Sequence, residues 1–359
     1  QTRCSMASLD VEIPEDLKNE NRGEIATTSA FVFKELVYPG FSLEMDLKAI
    51  TYNGQSDFQQ VQVIETGPFG KTLILDGKTQ SAQMDEFVYH ESLVQPSMLA
   101  FGWGMTQHGG DFKPKRVYIG GGGELATARE VLKHASVEEV IMVDLDKAVV
   151  DVSIERLQEW GAGCMDDPRL QVLYTDAHAW LNRDDAATGL FDVIIMDIAD
   201  PIEAGPGIAL YTQEFYALAK QKLNPGGVIV TQSGSGGLLT HNECFTAIHR
   251  TLATVFDHVL PYTAEVPSFG SPWAWNLAFD APSGSEGLSP EAAAQAGRSF
   301  KKIPDEELLE RLQSRVDPSK LRFYDEETHR TMFNLTKPIR ASLAQEDRVI
   351  TKENPVFMA

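Results

Sequence analysis

Apolar and polar positions alternate along the chain in two rhythms, and each rhythm predicts one kind of structure. Between residues 31 and 76 the period is two, clearest in QVQVIET at Gln60–Thr66, and the stretch ends in the turn Asp76-Gly77. This pattern predicts a small antiparallel domain of β-hairpins. From Asp85 to Leu99 apolar residues recur at helical spacing, with Pro96 as the expected kink or break.

After residue 115, short runs of mostly apolar residues alternate with helical patterns. The predicted strands are 116–120, 139–143, 170–174, 192–196 and 227–231, with 259–263 and 273–279 closing the far edge. The predicted helices are 124–134, 146–159, 177–182, 212–222 and 241–256. Such alternation predicts an α/β fold with a Rossmann-like, doubly wound sheet of the methyltransferase type. Ligands of such sheets bind at the carboxyl ends of the strands.

The same patterns divide the chain into four regions. Residues 1–30 are polar with little periodicity, which predicts a disordered segment. Residues 31–110 are assigned to the hairpin domain and its linking helix, and residues 111–282 to the Rossmann-like catalytic domain. Residues 283–359 begin with a small-residue linker and continue as a helical extension. We expect this extension to pack back onto the body, with a place over the cleft as a second option.

Composition narrows the choice of partners. The chain carries 52 acidic against 31 basic residues, a formal charge of −21, which disfavours nucleic acid and anionic membranes and favours a cationic ligand. Cys4, Cys164 and Cys244 are widely separated and indicate neither disulfides nor zinc, and no histidine spacing suggests a metal. The segment before residue 25 lacks the apolar core of a signal peptide, so a cytoplasmic location is expected.

The strongest chemical signal lies in residues 115–146. Gly120–Gly123 follow the first predicted strand of the sheet and precede its first helix, and Asp144 stands at the tip of the next strand. Glycines permit positive φ and close approach of the backbone to a ligand, while an acid at that strand tip suits ribose hydroxyls. The segment therefore predicts a nucleoside site that uses Gly121 and Gly122.

Acidic residues follow four successive predicted strands of this domain. They are Glu124, Asp144, Asp176, Asp197 and Asp200. A single acid at such a position is usually a helix N-cap, which stays an alternative for Asp176 and Asp200. Because carboxylates close to one another repel and raise one another's pKa, a converging set of five needs a cationic ligand.

Three nucleosides compete for this site. NAD fits the spacing Gly121-x-Gly123-x-x-Ala126, but Glu124 stands where its phosphates should lie. S-adenosylmethionine would bring its own carboxylate towards Glu124 and Asp197. Decarboxylated S-adenosylmethionine avoids that conflict, since it offers a sulfonium and an ammonium. An NAD-dependent oxidoreductase, a small-molecule methyltransferase and an inactive polyamine-binding protein remain the alternatives from other classes.

Six motifs between residues 31 and 281 resemble those of the aminopropyltransferases, the family of spermidine, spermine and thermospermine synthases. They are LDGKTQ (75–80), DEFVYHE (85–91), GGGE (121–124), DLD (144–146), DIADP (197–201) and VPSF (266–269). The resemblance implies transfer of an aminopropyl group from decarboxylated S-adenosylmethionine, as cosubstrate, to a polyamine, with release of 5′-methylthioadenosine. It implies no cofactor or metal, and by analogy a homodimer or homotetramer.

The resemblance also implies roles for individual residues. The cosubstrate would be held by Gln59, His90, Glu124, Asp144 and the Asp176-Ala177 turn. The acceptor amine would be held by Tyr89, Asp197 and Asp200, with Gln80, Glu203 and Phe269 completing its site. Polyamine nitrogens arrive protonated, with a pKa near the lysine value of about 10.4. Asp197 is therefore the expected proton acceptor, and Tyr89 is expected to orient the attacking nitrogen.

Two departures from the spermidine synthase pattern affect the expected acceptor. Ala199 lies inside DIADP, and Phe269 stands where spermidine synthases usually have tyrosine. The segment from Asp197 to Pro206 looks like that of the thermospermine synthases of plants and algae. Phe269 leaves an apolar wall, so spermidine is the expected acceptor and thermospermine the expected product. Spermidine synthase acting on putrescine and spermine synthase are the alternatives within the family.

Overall fold

The computed structural model describes residues 31–103, 112–184, 189–203, 205–281 and 299–358. The segment 1–30, expected to be disordered, lies outside the described residues. The junctions near residues 110 and 282 also fall outside them, so those domain boundaries stay predictions. Within the described ranges, every helix is too short or too polar to cross a membrane.

The first sheet is an antiparallel meander of five strands in chain order. Its strands are β1 (Phe31–Tyr38), β2 (Phe41–Gln55), β3 (Gln60–Thr66), β4 (Gly70–Leu75) and β5 (Lys78–Ala82). The predicted Asp76-Gly77 turn joins β4 to β5, with φ of 48° and 78° at its two residues. The alternation along β2 is loose in the sequence because two irregularities shift its register against β3.

The second sheet has seven strands in the order β11-β12-β10-β9-β6-β7-β8. They are β6 (Arg116–Gly121), β7 (Glu139–Asp144), β8 (Leu170–Tyr174), β9 (Phe191–Asp197), β10 (Leu223–Ser235), β11 (His258–Val266) and β12 (Ser271–Phe279). Strands β6 to β10 pair in parallel, whereas β12 is antiparallel to both β10 and β11. The carboxyl ends of the parallel strands therefore share one edge.

Helices cover this sheet. They are α1 (Glu86–Ala100), α2 (Ala126–Leu132), α3 (Lys147–Arg156), α4 (Gln158–Gly161), α5 (Ala177–Leu181), α6 (Gln213–Gln221) and α7 (Phe245–Leu252). The predicted helix 124–134 begins later than expected because Gly122 and Leu125 both have positive φ, which makes a turn before α2. The predicted helix 146–159 is interrupted at Leu157, whose ψ of 44° is not helical.

Helix α1 runs through the interior without the break expected at Pro96. Proline removes the hydrogen bond that the carbonyl group of Ser92 would otherwise accept within the helix. The hydroxyl group of Tyr262 donates to that carbonyl oxygen instead, at 2.9 Å. Because the freed acceptor has a partner, the helix tolerates the proline and continues to Ala100.

The C-terminal extension packs into the body. It contains α8 (Asp305–Gln313), α9 (Glu326–Met332) and α10 (Lys337–Gln345). The guanidinium of Arg315 donates to the carbonyl oxygens of Met98, Phe101 and Phe112. The buried carboxylate of Glu91 accepts three backbone N–H groups of residues 322–324, at 2.8 to 2.9 Å. The extension is thus structural along most of its length.

Candidate active site

The glycine turn after β6 is pressed against the end of β9. A Cβ on Gly121 would lie 2.0 Å from the carbonyl oxygen of Asp197, so no other residue fits there without a shift. The N–H group of Gly122 donates to the same carbonyl oxygen at 2.9 Å. A Cβ on Gly123 would meet Asp144 Oδ2 at 3.0 Å. The turn therefore lies directly between the two strand-end aspartates.

Asp197 is held by two hydroxyl groups from different helices. Tyr89 of α1 donates to Oδ1 at 2.8 Å, and Thr127 of α2 donates to Oδ2 at 2.6 Å. Burial of the carboxylate and the nearby charge of Glu124 raise the pKa of Asp197 above its ordinary value. A carboxylate with a raised pKa and a fixed orientation is well suited to accept a proton.

A chain of alternating charges leads from α2 to the glycine turn. Arg129 forks onto the carboxylate of Glu86, with N···O distances of 2.8 and 3.2 Å. Glu86 Oε2 lies 3.1 Å from Nδ1 of His90, and Nε2 of His90 lies 3.1 Å from Glu124 Oε1. Burial would lower the pKa of His90, but its two glutamate partners raise it to about 10. His90 is therefore an imidazolium that holds Glu124 in place.

His90, Glu124 and Asp197 offer ligand atoms within 4.8 Å of one another, which is a spacing that a metal ion could use. The geometry at His90 opposes that use. Its Nδ1 lies 2.6 Å from the backbone oxygen of Glu86, an acceptor, so Nδ1 carries a proton. With Nε2 donating to Glu124, neither ring nitrogen has a lone pair for a metal. Two carboxylates beside a fixed cation suit an organic ammonium group better.

Asp144 and Asp176 differ in their surroundings. Asp144 accepts the N–H group of Asp146 at 2.8 Å, and burial together with the charge of Glu124 raises its pKa to about 7. Asp176 is exposed and caps α5, since its Oδ1 accepts the N–H group of Ala179 at 2.6 Å. The N-cap alternative thus applies to Asp176, whereas Ala177 behind it is buried.

Gln59 reaches the second sheet from the turn between β2 and β3. Its side-chain amide donates to Asp146 Oδ2 at 3.0 Å, and Ser56 donates to the same oxygen at 2.6 Å. The other oxygen of Asp146 caps α3 by accepting the N–H group of Ala148. The first sheet is thereby fixed to the strand end that carries Asp144.

Two family models together match more than half of the chain. Residues 31–83 match the spermidine synthase tetramerisation domain, and residues 86–282 match the spermine/spermidine synthase domain. The chain belongs to the spermine/spermidine synthase family. It is an aminopropyltransferase of polyamine biosynthesis, and decarboxylated S-adenosylmethionine is its cosubstrate.

Relatives and solved structures agree with this assignment. A polyamine aminopropyltransferase of Aeropyrum pernix is 40% identical over 326 residues, covering 91% of this chain and 95% of that protein. Thermospermine synthase ACAULIS5 of Arabidopsis thaliana is 35% identical over 327 residues, with coverage of 91% and 87%. A spermidine synthase in complex with the transition state analogue AdoDATO has a TM-score of 0.71 at 27% identity, covering 93% of this chain and 100% of that one. The predicted fold, a hairpin domain followed by a Rossmann-like sheet, is confirmed.

This aminopropyltransferase has a cavity at the loop after β9. Its lining includes Asp200, Phe269 and Trp273, and we name it the Asp200 cavity. Gln232 donates to Asp200 Oδ1 at 3.0 Å and to the hydroxyl group of Tyr211. Burial raises the pKa of Asp200 to about 6. The cavity therefore combines a half-buried carboxylate with aromatic walls.

Aromatic rings connect this cavity to Asp197. Phe269 lies edge-on to Tyr89, with ring centroids 5.8 Å apart, and edge-on to Trp273 at 4.6 Å. Trp275 is fully buried and stacks on Tyr262. Trp273 and Trp275 are two positions apart on β12, and they differ: Trp273 lines the cavity, whereas Trp275 belongs to the core.

In the part of the chain that the structure describes, two residues predicted for the acceptor site do not line the Asp200 cavity. The side-chain amide of Gln80 donates to the carbonyl oxygen of Lys78 at 3.3 Å. Glu203 is exposed in a turn next to Ala204, which lies outside the described ranges. Their roles at the acceptor remain a prediction.

Four further residues at the site were missed by sequence reasoning. Thr127 is hydrogen-bonded to Asp197, and Glu86 is hydrogen-bonded to His90. Gln232 is hydrogen-bonded to Asp200, and Glu35 of β1 lines the Asp200 cavity. Glu86 had a usable signal, because residues four apart on a helix share a face and Glu86 precedes His90 by four. The other three contacts join segments far apart in the chain, and no spacing pattern indicates them.

Proposed function

We propose that the enzyme transfers the aminopropyl group to spermidine and makes thermospermine. The observation that carries this proposal is the wall of Phe269 and Trp273 next to Asp200, which offers apolar contact where a tyrosine would offer a hydroxyl group. A triamine has more methylene groups than putrescine to place along such a wall. The likeness to thermospermine synthase ACAULIS5 supports the same acceptor.

For the cosubstrate, we assign Asp144 to the ribose hydroxyls and Gln59 and the Asp176-Ala177 turn to the nucleoside. Gly121 and Gly122 allow the ligand to approach the backbone. The aminopropyl ammonium belongs beside Glu124, which supplies the negative charge and is held in place by His90. In the free enzyme the carboxylates of Glu124, Asp144 and Asp197 repel one another, and a cationic ligand relieves that repulsion.

For the chemistry, Asp197 accepts a proton from the attacking ammonium of the acceptor. The freed lone pair forms a C–N bond to the methylene group beside the sulfonium. The C–S bond breaks, and its electron pair returns to sulfur in 5′-methylthioadenosine. Tyr89 donates to Asp197 and keeps the carboxylate aligned with the attacking nitrogen, so positioning contributes much of the rate acceleration. Asp200 holds a second ammonium of the acceptor.

The test is incubation of the purified protein with decarboxylated S-adenosylmethionine and, separately, putrescine, spermidine or spermine. Release of 5′-methylthioadenosine is measured, and products are separated against authentic spermine and thermospermine. Thermospermine from spermidine is the expected result. If turnover is fastest with putrescine, the proposed acceptor is wrong. If the product co-elutes with spermine, the proposed product is wrong. Intact S-adenosylmethionine with each amine is the control, and we expect no methyl transfer from it.

We also propose a homo-oligomer, a dimer or tetramer, built through the first sheet, and a cytoplasmic location. Phe31, Val32, Leu36 and Ile50 are exposed on β1 and β2, within the segment that matches the tetramerisation domain. Exposed large apolar residues on neighbouring strands favour association. The buried free thiols of Cys164 and Cys244 fit a reducing compartment. Light scattering after gel filtration tests the assembly, and a monomer at micromolar concentration would contradict it.

A further inference from the structure

The last described residues of the chain return to the catalytic domain. Ile350 is fully buried, its carbonyl oxygen accepts the N–H group of Gln213, and its own N–H group donates to Thr251. Eight residues later, the N–H group of Met358 donates to the carbonyl oxygen of Pro201 at 2.8 Å. The tail therefore contacts the loop that carries Asp197 and Asp200, directly after Asp200.

The side chain of Met358 lines the Asp200 cavity together with Asp200, Phe269 and Trp273. Gly234 separates the sulfur from the carboxylate. A Cβ on Gly234 would lie 3.4 Å from Sδ of Met358 and 3.9 Å from Oδ1 of Asp200. The same Cβ would lie 2.7 Å from Sγ of Cys244, so the chain is closely packed here, and the thioether and the carboxylate both lie beside Gly234 at one end of the cavity.

Charges at the rim of the cavity come from three parts of the chain. Glu35 of β1 accepts hydrogen bonds from the backbone and hydroxyl groups of Thr79, at 3.0 and 2.6 Å. Glu35 and Glu243 both line the cavity beside Asp200, with Lys78 as the cation among them. Acidic groups around an aromatic and thioether lining suit a chain of methylene groups that carries spaced ammonium groups.

We propose that Met358 is a specificity-determining residue that contacts the acceptor beyond Asp200 and favours a triamine over a diamine. This inference rests on the proposed function. With the attacking nitrogen at Asp197, a longer amine extends farther past Asp200 and reaches the thioether, whereas putrescine ends sooner. Methionine is flexible and polarisable, so it adapts to a methylene chain. Met358 lies outside both family-model matches, which end at residues 282 and 83.

The test measures kcat/KM for spermidine and for putrescine in Met358→Ala, in Met358→Leu and in a chain that ends at Phe357. We expect the ratio of spermidine to putrescine to fall about fourfold in Met358→Ala, the effect of about one methylene group of apolar contact. The shortened chain should lose at least as much, and Met358→Leu should keep the ratio of the parent enzyme. The KM for the cosubstrate should not change in any of them.

A matched control is Met165→Ala, since Met165 is exposed in the turn Cys164–Asp166 away from the cavity. A spermidine to putrescine ratio that is unchanged or raised in Met358→Ala would overturn the inference. The same loss in Met165→Ala would also overturn it. If the parent enzyme releases no 5′-methylthioadenosine with any amine, the proposed function fails instead, so the two failures are distinguishable. Circular dichroism spectra and melting temperatures show whether each variant is folded.

Discussion

Tyr89 and Asp197, 108 positions apart in the chain, are joined by a 2.8 Å hydrogen bond at the meeting point of α1 and β9. The tyrosine is buried beside the carboxylate, and both its burial and the charge of Asp197 raise the pKa of its hydroxyl group. Tyr89 therefore stays protonated and donates at any pH the enzyme meets. The lone pairs of Asp197 that Tyr89 and Thr127 leave free are the ones that an acceptor ammonium would use in the proposed reaction.

Asp197→Asn should lower turnover by at least about a hundredfold, the lower range for loss of a general base. Asparagine still accepts the hydrogen bond from Tyr89, but it cannot take up the proton. The measurement is release of 5′-methylthioadenosine at saturating substrates. Asp280→Asn is the matched control, because Asp280 pairs with Lys220 at the far end of β12. Unchanged turnover in Asp197→Asn would remove the residue from its proposed role.

The pH profile offers a second check on the same residue. As the proposed proton acceptor, Asp197 must be ionised, and its pKa is raised by burial and by Glu124. Activity of the free enzyme should therefore be lost, on lowering the pH, well above the ordinary aspartate value of 3.8. The residual activity of Asp197→Asn should not show this fall at low pH. A fall at the same pH in both proteins would show that another group causes it.

Asp144→Asn should stabilise the free protein at pH 8 while weakening cosubstrate binding. The folded-state pKa of Asp144 is about 7, above the ordinary 3.8, so the folded state binds more protons between these values and loses stability as the pH rises. Asparagine keeps the hydrogen bond from Asp146 without the buried charge. We expect a gain of roughly 2 °C in Tm at pH 8. The gain should vanish near pH 4, and a gain independent of pH would contradict this explanation.

Glu86→Gln should change how activity depends on alkaline pH. The glutamate charge, with that of Glu124, holds the pKa of His90 at about 10, so its loss lets the imidazole become neutral at lower pH. Above pH 8 we expect kcat/KM for the cosubstrate to fall about tenfold, with kcat less affected. An NMR titration of the His90 ring measures the pKa directly.

The matched control for Glu86 is Glu346→Gln. Burial would raise the pKa of Glu346, but Arg348 and Thr246 lower it to about 2, as His90 and Arg129 do for Glu86. Glu346 lies in the C-terminal segment, so its loss should leave the pH profile of the enzyme unchanged. An unchanged profile in Glu86→Gln as well would show that Glu86 acts on stability alone.

Phe269→Tyr should shift acceptor preference towards putrescine. The new hydroxyl group adds a polar partner at the Asp200 cavity, and one hydrogen bond is worth about 1 kcal/mol, or roughly fivefold in relative kcat/KM. Competition between putrescine and spermidine in one reaction measures the change. Phe323→Tyr adds a hydroxyl group in the C-terminal segment and serves as the control. A preference unchanged by Phe269→Tyr would show that the ring does not select the acceptor.

Arg315→Ala should destabilise the whole protein by about 3 kcal/mol or more. The side chain is buried, and its loss leaves the carbonyl groups of Met98, Phe101 and Phe112 without this charged donor. Urea unfolding measures the loss. Arg330→Ala is the control, since its exposed ion pair with Asp305 should leave Tm nearly unchanged. An equal, small effect of both changes would mean that the extension docks without Arg315.

The inner strands of the central sheet could be predicted from sequence because they are buried on both faces. A strand such as β9 has no solvent side, so it reads as a short apolar run, and the predicted bounds 192–196 agree with Phe191–Asp197. The acids at the strand tips then share one edge of the sheet. That is why Glu124, Asp144 and Asp197, read from separate motifs, lie close enough for the charge of Glu124 to raise the pKa of both aspartates.

The supporting contacts could not be predicted in the same way. Which hydroxyl group meets Asp197, or which side chain faces Asp200, depends on how α1, α2, β1 and the tail pack in three dimensions. Pro96 shows the same limit, since its tolerance rests on a hydrogen bond from Tyr262, 170 positions from Ser92. Leu125 is another example, because its positive φ of 74° is typical of glycine and follows from the turn around Glu124.

The contact of Gly121 with the backbone of Asp197 leaves almost no room for substitution, whereas other parts of the active site can change. A side chain at position 121 would displace the strand end that carries the proposed base, so the nucleoside turn and the proton acceptor must be inherited together. The walls of the Asp200 cavity come from β1, β5, the end of β10, β12 with the turn before it, and the tail, all of them away from the glycine turn. New acceptors can therefore be gained by exchanging wall residues while the transfer chemistry is preserved.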